Sequence, residues 1–92
     1  MKAIRYLDEM NTQIDFVVVT EDAFVGEAKS AIQLGLDDYW EDGCICFGEA
    51  VESRLTDANI PYSILYCDDL VSEEMYMRYV RRVDEEMGME VI

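Results

Sequence analysis

Histidine is absent from the 92 residues. That removes the commonest general base, the Ser–His and Cys–His nucleophile pairs, and every histidine-containing metal site. Basic residues are scarce: 7 Lys plus Arg stand against 21 Asp plus Glu, for a net charge of −14. Proline occurs once. No apolar run reaches the roughly 18–20 residues of a membrane span, and no charged start followed by an apolar block reads as a signal peptide. The expected compartment is cytoplasmic, with no membrane partner. Cysteine is limited to Cys44, Cys46 and Cys67, an odd set spaced too closely for a disulfide framework, which reads as reduced thiols.

What is present is hydrophobic residue at 51% of the chain, too much for a disordered acidic tail. Residues 1–92 are expected to form a single domain with a thin core. From the size scaling of folded chains, about 5,500 Å² would be exposed, so each net charge would own roughly 390 Å². Such a surface repels nucleic acid and anionic lipid and attracts cations and basic surfaces. Solubility alone is the plainer explanation of acidity, yet −14 over 92 residues exceeds what a small domain needs for it.

Along the chain, residues 2–7 alternate loosely, as a strand or a frayed turn, and Asp8 to Gln13 resembles a hairpin loop. Ile14 to Thr20, "IDFVVVT", is β-branched and predicts a strand, so the chain would open with a β-hairpin. Thr20, Glu21 and Asp22 suit a helix start. Val25, Ala28, Ile32 and Leu36, widened by Phe24 and Ala31, then predict a helix over about 22–40, with Gly35 as its weak point and Gly43 as its C-cap. "CICFG" is ambiguous. From Gly48 a second helix would place Val51, Leu55 and Ala58 on one face. Pro61 fits the first position of a strand over Tyr62 to Cys67. Asp68, Asp69 and Ser72 are candidate N-caps for a last helix over 72–88, with Met75, Tyr76, Tyr79, Val80, Val83 and Met87 as its apolar stripe and Gly88 as its end. The expected fold is α+β, order β-β-α-α-β-α, three helices on a small sheet.

The carboxylates are clustered. Those at 21–22 and 68–74 sit at helix starts, where the macrodipole stabilises anions. Asp37, Asp38, Glu41 and Asp42, and likewise Asp84, Glu85 and Glu86, fall near helix C-termini, where the dipole is unfavourable. A helix ending at Gly35 would reverse that sign for the first group. Otherwise binding sets the placement. Carboxylates three or four positions apart on a helix are about 5–6 Å apart, a comb similar in scale to phosphates along a strand. Tyr39 and Trp40 among them are anchors of the kind interface centres favour, able to stack on an arginine. The alternative for Trp40 is plain core packing. Arg78, Arg81 and Arg82 form a basic patch on the last helix. With Glu74, Glu85 and Glu86 they can form i,i+4 pairs, or they can dock an acidic surface such as a second copy of the chain.

Cys44, Cys46 and Cys67, with Asp68, Asp69 or Asp42 as fourth ligand, could hold one structural zinc. Against this, zinc sites usually use C-x-x-C, side chains one apart on a strand diverge, and free cysteine often packs as a small hydrophobe. The favoured reading has no cofactor. No catalytic residue is expected: no histidine activates a thiol, and a chain this short offers little volume for a cleft of about 300–1,000 Å³.

In size, acidity and clustering, across its whole length, the chain resembles small phage and mobile-element inhibitors, the anti-CRISPR and antirestriction proteins that mimic DNA. The likeness is compositional and carries over no individual residue. It implies a non-enzymatic inhibitor acting in the cytoplasm of a bacterial host. Such an inhibitor would occupy the basic channel of a CRISPR effector nuclease or restriction-type enzyme without binding nucleic acid itself. Asp37, Asp38, Tyr39, Trp40, Glu41 and Asp42 would form the contact edge, with Asp84, Glu85 and Glu86 as a second. Two rival readings are an antitoxin-like partner of another basic protein, and an accessory module that forms a homodimer through its last helix.

Overall fold

A computed structural model describes residues 1–7, 15–42 (Asp42 by its backbone alone), 46–66 and 72–92. The expectations for the 8–13 loop, Gly43, Cys44, Cys67, Asp68 and Asp69 lie outside the described residues. The elements are β1 (Lys2–Leu7), β2 (Asp15–Thr20), a 3₁₀ turn (Asp22–Phe24), α1 (Val25–Asp42), α2 (Phe47–Asp57), β3 (Tyr62–Tyr66), α3 (Glu73–Met87) and β4 (Met89–Val91). The fold is α+β, as expected, with one strand more than the sequence indicated. The four strands lie in the order β3-β2-β1-β4. The chain divides into two compact units, residues 1–20 with 63–92, and residues 21–62.

In the first unit β1 and β2 pair antiparallel, Ala3 opposite Val19 and Arg5 opposite Val17. That register puts Ala3, Val17 and Val19 on one face, where they pack with Tyr76, Val80 and Val83 of α3. The opposite parity carries Ile4, Phe16 and Val18, also buried, so every residue of β2 is inside. This explains its unbroken apolar character: a strand covered on both faces need not alternate. Ser72 caps α3, its Oγ accepting from the Met75 N–H at 3.2 Å. Tyr76, Val80 and Val83 recur at helical spacing toward the sheet. Met75, expected in that stripe, is 47% exposed, and Met77 packs inward in its place. Gly88, at φ 77° and ψ 152°, ends α3 in a conformation essentially reserved for glycine. Its carbonyl accepts from the Ala3 N–H at 3.2 Å, which starts β4 parallel to β1. β4 escaped the sequence reading because three residues carry no periodicity.

In the second unit α1 buries Ala28, Ala31, Ile32 and Leu36 of the expected stripe, while Val25 and Phe24, also expected in it, are half-buried. It runs unbroken past Gly35, and the reason is packing. A Cβ at Gly35 would fall 2.6 Å from the Val51 Cα and 2.9 Å from the Ala50 carbonyl oxygen, so α1 and α2 meet backbone to backbone there. The expected weak point is the seat of the helix contact. α2 starts one residue earlier than expected, capped by Cys46, and buries Gly48, Ala50, Val51 and Leu55. Ala58 is exposed at the C-cap rather than on the buried face. Asn59 takes φ 57°, its N–H reaching the Thr56 carbonyl at 3.0 Å, while the Ile60 N–H reaches that of Leu55 at 3.1 Å. These are the two bonds of a Schellman ending, with buried Ile60 as its apolar contact.

Candidate functional site

Because α1 continues to Asp42, the carboxylates at 37–42 do occupy its last turns, where the dipole opposes them. Asp37 and Glu41 are exposed, and Asp37 accepts from the Gln33 side-chain amide at 3.2 Å. Asp38 is committed elsewhere. Arg54 of α2 grips it with two bonds, Nε to Oδ2 at 2.7 Å and Nη2 to Oδ1 at 2.9 Å. That guanidinium, chiefly through its hydrogen bonds, holds the Asp38 carboxyl below its ordinary value. Asp38 thus ties α1 to α2 and leaves the set free to meet a partner.

The aromatic pair is arranged differently from a core pair. Trp40 is 56% exposed. Tyr39 meets its ring edge-on, with centroids 5.0 Å apart and planes at 62°. Tyr39 in turn abuts Phe47 at the start of α2, at 6.2 Å and 80°. The three rings form a chain anchored in α2 and ending at an exposed indole; Asp37 and Asp38 precede the Tyr39–Trp40 pair in sequence and Glu41 follows it. Phe47 and Arg54 were missed by sequence reasoning; Phe47 lay in the ambiguous segment, and nothing local marks Arg54 as the partner of Asp38.

Asp84, Glu85 and Glu86 are exposed near the end of α3, in the other unit. Of the expected pairs on that helix, Glu74–Arg78 is closed at 2.7 Å, while Arg82 lies over the Tyr79 ring, 5.8 Å from its centroid. Met75, Arg78, Tyr79 and Arg82 line a shallow depression of about 340 Å³. A second one, about 430 Å³, is lined by residues that include Glu27, Leu34, Arg54 and Asp57 of α1 and α2.

Of the residues considered for zinc, Cys46 is described: it is exposed, and its Sγ accepts from the Glu49 N–H at 3.5 Å as the N-cap of α2. Cys44, Cys67 and Asp68 lie outside the described residues. Among the described residues no group of three metal-ligating side chains comes together.

Among the described residues, one titratable cluster was not revealed by the sequence. Asp15 of β2 receives Arg5 Nε at 3.0 Å, Arg5 Nη2 at 2.7 Å and the Tyr76 hydroxyl at 2.6 Å. Burial, then the Asp15 hydrogen bond, push the Tyr76 phenol far above its ordinary value, and the Asp15 bond raises Arg5. Donors and acceptors answer one another there, and the cluster fastens α3 to the sheet.

No helix among the described residues is long and apolar enough to cross a membrane. No family model, curated protein or solved structure matches the chain.

Proposed function

We propose that this protein is a non-enzymatic inhibitor that binds a basic nucleic-acid-binding protein, of the CRISPR-effector or restriction type, and excludes nucleic acid by occupying its cationic groove. The observation that carries the reading is the exposed Trp40 in the last turns of α1, its ring against Tyr39, which itself meets Phe47, with exposed Asp37 and Glu41 three positions before it and one after. An exposed tryptophan forgoes the free energy of burying its ring, and carboxylates at a helix C-terminus cost about 0.3–1 kcal/mol each. Both costs are offset when a guanidinium stacks on the indole while neighbouring cations meet the acids. Trp40 would be the anchor, with Asp37 and Glu41 as charge contacts; Asp38 is occupied by Arg54 and supports the edge. In this reading the chain acts by occupancy rather than chemistry. The place of action is the cytoplasm of the bacterial host.

The test is capture from a lysate of the native host on immobilised protein, followed by mass spectrometry. Basic nucleic-acid-binding proteins are expected, eluting as salt is raised. Trp40→Ala with Asp37→Asn and Glu41→Gln should weaken capture at least tenfold, in line with hot-spot behaviour. Recovery of no basic protein, or capture unchanged by the triple substitution, overturns the proposal.

A second reading is an accessory module that pairs with its own copy through α3. It draws on the 47% exposure of Met75 beside Tyr79. Salt-insensitive self-association with no captured partner would favour it.

A further inference from the structure

α1 and α2 run antiparallel: Tyr39 meets Phe47 at one end, and Ala31 and Ala58 line a common depression at the other. Between those ends the two backbones touch at Gly35. Toward the start of α1 the small side chains of Ser30, Ala31 and Ala58 leave the seam unfilled, and a trough of about 430 Å³ opens there. Leu34 stands on its wall, 48% exposed. A lone exposed leucine is ordinary surface. One that lines a trough between two helices is an apolar contact for a third helix laid along them.

The rim is anionic. Glu27 and Glu41 lie seven positions before and after Leu34, which on an α-helix sets the three within about 20° of one line, about 10 Å apart along the axis. Both carboxylates are exposed, as is Asp57 on the facing wall. Arg54 also lines the trough, but its charge is answered. The hydrogen bonds and charge of Asp38, then the charge of Asp57, hold that guanidinium above its ordinary value. Lys29 lies roughly 140° around α1 from Leu34.

An apolar wall with an acidic rim selects among occupants. A second copy would bring its own net charge of −14 against these carboxylates, and nucleic acid or anionic lipid would be repelled in the same way. An uncharged apolar helix would desolvate the rim without pairing it. The α3 depression makes no comparable selection, because Arg78 and Arg82 share their helix with exposed Glu74, Glu85 and Glu86.

We infer that the α1–α2 trough docks a cationic amphipathic helix of a partner protein, whose apolar stripe covers Leu34 and whose basic residues meet Glu27, Glu41 and Asp57. Trp40 is six positions past Leu34, roughly 120° around α1, so this surface is distinct from the Trp40 edge, although Glu41 borders both. The contact is short, and the complex is weak, with a Kd of roughly micromolar or above.

The experiment titrates the isotope-labelled full chain with a synthetic peptide of about 20 residues, long enough to be helical in water, carrying a leucine stripe bordered by arginines. Amide shifts in NMR spectra should concentrate at residues 27–34 and 54–58. Leu34→Ala should weaken binding by about fivefold or more. Glu27→Lys with Asp57→Lys should weaken it by about tenfold or more. The same peptide with glutamates in place of arginines should not bind. The inference is overturned by absence of binding, by shifts centred on Trp40 or α3, by equal binding of the glutamate peptide, or by binding unchanged in Leu34→Ala. Concentration-dependent shifts of the same amides without peptide overturn it too, since a second copy would then be the occupant. If the peptide binds here but the lysate yields no basic protein, only the reading built on Trp40 fails.

Discussion

Asp15 shows how much one buried carboxylate can organise. Its charge is answered by the Arg5 fork, and its third contact is the Tyr76 hydroxyl at 2.6 Å. Removing that hydroxyl by Tyr76→Phe keeps the ring and deletes one charge-assisted bond, with an expected cost of about 1.5–3 kcal/mol in urea unfolding at neutral pH. The pH dependence has a definite sign. The folded-state pKa of Tyr76 is raised, so its contribution is fully present below the unfolded phenol value of about 10 and is lost as pH rises beyond it. Stability should therefore fall in alkali, and the Phe variant should lose that part of the slope. The sequence shows Tyr76 within an apolar stripe; it does not show what the hydroxyl meets, because Asp15 is 61 positions away.

At the scale of elements, two glycines of one helix differ. Gly35 lies against the α2 backbone, whereas a Cβ on Gly26 would meet nothing within 4 Å. Gly35→Ala gains helix propensity but forces the helices apart, for a net loss of about 1–2 kcal/mol. That should lower Tm by about 4–8 °C per kcal/mol lost. Gly26→Ala has no such clash and should be neutral or stabilising by up to about 1 kcal/mol. Thermal unfolding of the two variants checks the contrast. The caps of α3 were readable in advance, Ser72 and Gly88 being where the residue types place them, whereas Cys46 and Asn59 at the ends of α2 were not, and the expected start at Thr20 to Asp22 makes no side-chain cap bond. Gly35 was misread because propensity is local while its role depends on Val51 of another helix. Met75 was expected in the stripe but lies one position, roughly 100° around the helix, from buried Tyr76, on the exposed side.

Across the whole molecule the net charge of −14 governs behaviour in salt. Self-repulsion among carboxylates opposes the folded state, and screening relieves it. Melting temperature at neutral pH should therefore rise with sodium chloride from low to moderate ionic strength, measured by circular dichroism. A melting temperature that fell would mean that attractive pairs such as Arg5–Asp15 and Arg54–Asp38 outweigh the repulsion.

The sequence by itself determined the acidic balance, the exclusion of histidine chemistry, the α+β class and the approximate span of each helix. All of these follow from composition or from patterns within one turn or one strand. Only the tertiary structure decided that Asp38 is held by Arg54, that Trp40 stands exposed with its ring against Tyr39, that Arg5, Asp15 and Tyr76 converge, and that β4 adds a fourth strand beside β1. Each of those depends on which distant residue the folded backbone brings within about 3–6 Å, a distance over which hydrogen bonds and ring contacts act and which no local pattern encodes.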